Sequence, residues 1–148
     1  MLVTDIHTGP ALLKSTAADL MTANPLSFER STPIPKAWAL LEHHELQAAP
    51  VVCQGIPVGL VTKAACESWY EFSQRSQPQN AEIVHSDSEP VSTIMTPGVD
   101  TVFDDAPIDA VIRTLVRRRI PRAFVVDESG ELVGVLSIRD ILRRIVET

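Results

Sequence analysis

Cysteine is scarce in this chain: two residues in 148, Cys53 and Cys66, too far apart for a C-x-x-C pair. That pattern excludes a zinc-finger signature and points to a reducing, cytoplasmic location. For Cys66 a small buried hydrophobe is a better reading than a reactive thiol. Long apolar runs are missing too. Nothing approaches the roughly 20 residues needed to cross a bilayer, so no membrane partner is expected. The opening "MLVTDIHTGPALLKS" lacks a basic segment followed by an apolar one, and no secretory leader is expected. Excess positive charge is absent as well. A net charge of −6 argues against a general nucleic-acid binder. No glycine-rich phosphate loop, G-x-S-x-G elbow or Ser–His–Asp set is found, so no catalytic residues and no enzyme activity are expected. His43-His44-Glu45 suggests a metal at first sight. Adjacent histidines on a helix, however, point about 100° apart, so only one could share a site with Glu42 or Gln47, and no metal is expected.

What is present is enough for a core. Apolar residues make up 45% of the chain and charged ones 22%, the balance of one folded domain or of two small ones sharing a core. The bases are unevenly placed. Arg113, Arg117, Arg118, Arg119, Arg122, Arg139, Arg143 and Arg144 crowd the last quarter, which leaves room for a local anion site there.

The chain also repeats itself. At an offset of 74, Met21-Thr22 falls on Met95-Thr96, Pro33-Ile34 on Pro107-Ile108, Leu41 on Leu115, Ala49 on Ala123 and Val51-Val52 on Val125-Val126. One extra residue near Gln54 then brings Val58-Gly59 onto Val133-Gly134 and Thr62 onto Ser137. A register held over about 50 residues is an internal duplication. Each copy reads as a short extended piece, "PLSF" or "VDTVF", and then a helix opened by Pro33 or Pro107. Ser31 or Thr32, and Asp104 or Asp105, are candidate caps. The helix stripes are Ile34, Ala37, Trp38 and Leu41 in copy one, and Ile108, Val111, Ile112, Leu115 and Val116 in copy two. A hairpin follows, "APVVC" to "IPVGLVT" or "RAFVVD" to "ELVGVLS", turning on Gly55 or Gly130. A second helix closes each copy, with Ala64, Ala65, Trp69 and Phe72 inward in the first and Ile138, Ile141, Leu142, Ile145 and Val146 in the second.

The expected fold class is therefore α+β: two β-α-β-β-α repeats packed about a pseudo-twofold axis, since about 55 residues bury too little surface alone. The expected domains are an N-terminal arm over 1–16, loosely docked with one helical turn near "AADLM", repeat one over 17–72, a polar linker over 73–90 and repeat two over 91–148.

The stretches "IMTPGVDTV" and "IPRAFVVDESGELVGVLSIRDIL", with their weaker copies "LMTANPLSF" and "LQAAPVVCQGIPVGLVTKAA", resemble a tandem pair of cystathionine β-synthase (CBS) domains, the Bateman module. The resemblance covers about residues 17–72 and 91–147. It implies clefts between the repeats that hold an adenosyl ligand such as AMP, ADP, ATP or S-adenosylmethionine, taken as a regulatory ligand rather than a required cofactor. It also implies a homodimer and a regulatory role exerted on an unidentified protein target. A ligand-free dimerisation or interaction module is the alternative.

The site chemistry centres on Ser137-Ile138-Arg139-Asp140. As a helix start, Ser137 and Asp140 suit a capping box. The same geometry offers free N–H groups and a hydroxyl to phosphate, and two carboxylate oxygens to a ribose diol. In the resembling family the matching hydroxyl and carboxylate contact phosphate and ribose. Arg139 either reaches a phosphate or is solvated. Arg122 matches a position where the family places a phosphate-facing base. The resemblance also implies adenine contacts from Asn24 to Leu26. The run 117–119 is expected to be a solvated helix end. Copy one keeps the hydroxyl at Thr62 but has Ala65 in place of the carboxylate, so a degenerate second site that binds weakly or not at all is expected.

Overall fold

A computed structural model describes residues 14–76 and 87–147; most of the expected arm (1–16) and of the expected linker (73–90) lies outside the described residues. Among the described residues the fold is mixed α+β, with two four-stranded sheets, five α-helices and one short 3-10 turn. The chain divides into two compact units. Unit 1 joins the described residues up to Pro25 to those from Asp100 onward, and unit 2 is Leu26–Val99.

Unit 2 contains β2 (Phe28–Glu29), α2 (Ile34–His43), β3 (Ala48–Cys53), β4 (Ile56–Thr62), α3 (Lys63–Ser76) and β5 (Thr96–Pro97). Its sheet order is β2-β3-β4-β5, parallel between β2 and β3 and antiparallel elsewhere. Unit 1 contains α1 (Ala17–Leu20), β1 (Thr22–Ala23), β6 (Thr101–Phe103), α4 (Ile108–Arg118), β7 (Arg122–Val126), β8 (Leu132–Ser137) and α5 (Ile138–Glu147). Its order is β1-β8-β7-β6, with the same directions. The hairpin turns form as the glycines require, with Gly55 at φ 85° and Gly130 at φ 92°.

Each unit borrows its opening segment from the other repeat. β1, from the start of repeat one, pairs with β8, and β5, from the start of repeat two, pairs with β4. The exchange caps the helices. The N–H of Ile108 donates to the Ser15 carbonyl at 3.0 Å, and that of Ile34 to the Glu89 carbonyl at 2.9 Å. The N-cap residues are Pro107 and Pro33, neither with a side-chain cap bond. Ser31, Thr32, Asp104 and Asp105 are therefore not caps. A backbone carbonyl already takes the orphan N–H that a side chain would have served.

The two cores occupy equivalent positions. Ile34, Ala37, Leu41, Ala49, Val51, Val61, Cys66 and Val91 are buried in unit 2. Ile108, Val111, Leu115, Ala123, Val125, Leu136, Ile141 and Ala17 are buried in unit 1. The last match makes Ala17 the counterpart of Val91, each delivered by the borrowed segment. Gly59 and Gly134 lie under Met95 and Met21, the residues just before the borrowed strands, where any Cβ would collide with the thioether.

The helix stripes hold only in part. Val116 is exposed, and on α5 only Ile141 is buried while Leu142, Ile145 and Val146 face outward. On α3 Cys66 and Ser73 are buried and Trp69 packs against the core, whereas Ala64 and Phe72 are exposed and Ala65 is half-buried. α3 runs through Ser76, past the expected end of repeat one at residue 72. Each outer helix carries more apolar surface than its own sheet can cover.

Candidate functional site

In unit 1 the antiparallel register sets Arg122, first residue of β7, directly opposite Ser137, last residue of β8. Opposed residues of such a pair project from the same face, so the guanidinium and the hydroxyl share one side of the sheet end. The chain then enters α5 at once. The N–H of Ile138 is taken by the Pro121 carbonyl at 2.9 Å, which pins the helix start to the end of the hairpin.

Ser137 and Asp140 form a reciprocal cap. The Ser137 N–H donates to Asp140 Oδ2 at 3.0 Å, and the Asp140 N–H donates to Ser137 Oγ at 3.1 Å. The capping role is thus real, and it uses one carboxylate oxygen. The other, Oδ1, has Arg143 Nη1 at 3.9 Å. The Asp140 side chain is 23% exposed. An ionised carboxylate has about four acceptor positions, so the cap leaves acceptors for a pair of neighbouring hydroxyls. Arg122 and Arg139 are exposed, and neither has an ion-pair partner among the described residues. Arg118 is occupied by Asp100 at 2.9 Å, and Arg119 ends α4 in the left-handed region, consistent with a solvated helix end.

Asn24 and Leu26 do not join this cluster within unit 1. Asn24 is left-handed (φ 54°), and its N–H donates to the Val133 carbonyl at 3.2 Å. Val133 lies four positions before Ser137 along β8, about 13 Å at the usual strand rise. Leu26 belongs to unit 2, where it packs against the core.

The equivalent place in unit 2 is stripped. Thr62 Oγ1 accepts the Ala65 N–H at 3.0 Å, half of a capping box, and Ala65 has nothing to return. Opposite Thr62 stands Ala48, in the register that Arg122 holds opposite Ser137. The loss at Ala48 was readable in the offset of 74, which sets residue 48 on residue 122. Lys63, the nearest base, is paired with Glu42, whose hydrogen bond raises the ammonium pKa.

Cys66 is buried, and burial, with Glu67 adding to it, pushes its thiol up to about 11, so it is a core residue and not a nucleophile. His43 and His44 make an edge-on ring contact at 5.1 Å. The described residues include no cluster of His, Cys, Asp or Glu suited to a metal ion, and no helix among them is long and apolar enough to cross a membrane.

A family profile for the CBS domain matches residues 17–66 and 91–147. The inosine-5'-monophosphate dehydrogenase of Thermoplasma acidophilum is 32% identical over 126 residues, 85% of this chain and 22% of that protein. This chain spans about a quarter or less of the length of the first curated relatives it matches. Among solved structures, CBSX2 of Arabidopsis thaliana in complex with AMP superposes with a TM-score of 0.68 at 23% identity, covering 90% of this chain and 97% of that one. The CBS domain pair of protein MJ0100, in complex with 5'-methylthioadenosine and S-adenosyl-L-methionine, gives 0.67 at 24%, with coverage of 90% and 97%.

Proposed function

Because the chain belongs to the CBS-domain family, matched over both of its repeats, we propose that it is a non-catalytic regulatory module that takes an adenosyl ligand at the start of α5. The observation that carries this reading is the convergence of Arg122, Ser137 and Asp140 at one sheet end, with Asp140 Oδ1 left for a ligand. Oδ1 receives the ribose hydroxyls. The Ser137 hydroxyl and the Arg122 guanidinium, with Arg139 beside them, take a phosphate or, for S-adenosylmethionine, its carboxylate. Carbohydrate and anion are thus read by neighbouring groups on a rigid hairpin end. The AMP complex of CBSX2 and the methylthioadenosine and S-adenosylmethionine complex of MJ0100 support the ligand class.

The ligand regulates by differential affinity for two conformations of the module. The working state is a homodimer, supported by the exposed apolar residues of α3 and α5. It acts on a protein target in a reducing, cytoplasmic setting that suits the free thiols Cys53 and Cys66.

A second reading has one observation in its favour: the Ser137–Asp140 cap explains both residues without any ligand. On that reading the chain is a ligand-free dimerisation module. Calorimetric titration with AMP, ATP and S-adenosylmethionine separates the two. Binding that falls roughly ten- to a hundredfold in Asp140→Ala and less in Asp140→Asn, which keeps a cap acceptor, supports the sensor. No heat from any of the three ligands leaves the interaction module standing.

A further inference from the structure

Between α2 and α3 of unit 2 lies a groove of about 480 Å³, a size that holds a small molecule. Trp38, Trp69 and Tyr70 line it together with Glu67 and Glu71. Both tryptophans and the only tyrosine of the chain are gathered there. In repeat two the matching positions hold Ile112, Arg144 and Ile145 for the rings, and Leu142 and Val146 for the acids. Rings and carboxylates occur together in one copy and are both missing from the other, so the fold itself requires neither.

The groups suit a cation. Trp38 Nε1 donates to Glu67 Oε2 at 3.1 Å, which holds an indole and a carboxylate side by side. Glu71, one turn further on, has no ion-pair partner among the described residues. Lys63, one turn before Glu67, is already paired with Glu42. A carboxylate without a countercharge thus stands beside aromatic rings, whose faces attract cations. The apolar lining decides which cation. Ile34 and Cys66, both buried, form part of the wall. A primary ammonium or a guanidinium would lose water from N–H groups that find too few acceptors there. A methylated ammonium presents methyl groups, which need no acceptor and pack on rings and aliphatic side chains alike. A carboxylate or phosphate on the same molecule would be repelled by Glu67 and Glu71.

We propose that the α2/α3 groove binds a small quaternary ammonium compound that bears no anionic group, seated against Trp38, Trp69 and Tyr70 with Glu67 and Glu71 as its countercharge. All of these residues belong to unit 2. None is shared with the adenosyl site at the start of α5, so each proposal can fail without the other. The chain has no other tryptophan, and its emission therefore reports on this groove alone. The full chain is titrated with choline at constant ionic strength. Parallel titrations use ammonium chloride and the neutral isostere of choline, in which a quaternary carbon replaces the nitrogen.

The expected result is a saturable emission change with choline and with neither control, its midpoint the same at two widely separated protein concentrations. Glu71→Gln and Tyr70→Leu, both at exposed positions, leave the tryptophans in place as the probe. Each should raise the midpoint by about two- to fivefold. An equal response to the neutral isostere overturns the charge requirement and makes the groove a plain apolar site. An equal response to ammonium overturns the methylated class. A midpoint that moves with protein concentration assigns the change to association between copies, and no response to choline leaves no site; either result overturns the proposal.

Discussion

At the two points where a hairpin's second strand runs into a helix, this molecule has the same backbone and different chemistry. Ile138 N–H meets the Pro121 carbonyl at 2.9 Å and Lys63 N–H meets the Gln47 carbonyl at 2.8 Å. Ser137 and Thr62 both accept a helix N–H three residues on, at 3.1 and 3.0 Å. Around those hydroxyls unit 1 has Arg122 and Asp140, and unit 2 has Ala48 and Ala65. The buried positions of the repeats stay apolar in register, because a core of this size tolerates little loss of packing. The positions at the strand end are held by no such constraint. A duplicated scaffold can therefore keep one site and lose the other at no cost to its fold.

The largest expected effect comes from erasing the difference. Asp140→Ala should bring unit 1 toward the level of unit 2, lowering adenine-nucleotide affinity by roughly ten- to a hundredfold, the worth of a charge-assisted hydrogen bond of about 1.5–3 kcal/mol. The converse, Ala48→Arg with Ala65→Asp, should give unit 2 a site of its own and raise the calorimetric stoichiometry toward two. A stoichiometry that stays at one would mean that more than these two side chains separates the units.

A smaller contrast lies in the glycines beneath the borrowed methionines. A Cβ at Gly59 would sit 2.9 Å from the Thr96 carbonyl oxygen, a backbone atom, as well as 2.7 Å from Met95 Sδ. At Gly134 the severe clashes are with the flexible Met21 side chain, and the nearest backbone atom, the Thr22 carbonyl oxygen, is 3.1 Å away. Gly59→Ala should cost about 1–3 kcal/mol in urea unfolding and Gly134→Ala less. Met21→Ala should rescue Gly134→Ala further than Met95→Ala rescues Gly59→Ala. Equal costs and equal rescue would say that the borrowed strands yield freely.

Smallest is a difference in the cores, Cys66 against its counterpart Ile141. Burial pushes the folded thiol up to about 11, from an ordinary value of 9.0. The unfolded chain therefore loses its proton first. The stabilising contribution is complete below about pH 9 and is lost as pH rises through the folded value, by on the order of 1 kcal/mol at pH 10. Cys66→Ala, less stable overall, should show a flatter decline over that range. At pH 8 a thiol reagent should label Cys53 in the folded protein and reach Cys66 only on unfolding.

Much of this was legible in the residues. The offset of 74, the proline openings and the Gly55 and Gly130 turns define the repeat, and the Ser137–Asp140 spacing marks the helix start. What the residues did not disclose is pairing across the repeats. Met21 and Met95 stand in register, yet nothing local says that each covers the other repeat's glycine. For the same reason the local sequence indicates caps at Thr32 and Asp105, whereas the carbonyls of Glu89 and Ser15 take the helix N–H groups. The stripes on α3 and α5 overstated burial, since periodicity gives a helix an apolar face without saying what covers it; Leu142, Val146 and Phe72 are the residue of that ambiguity. Within the site, sequence pattern marks Arg122 and Asp140, whereas Ala48 carries no group that would mark it.

The most direct measurement is a backbone amide chemical-shift titration with AMP. The account predicts saturable shifts at Arg122 and from Ser137 to Ile141, with Ala48 and the segment from Thr62 to Cys66 nearly unmoved. Shifts of equal size at both helix starts, or none at Ser137 and Asp140, would contradict it.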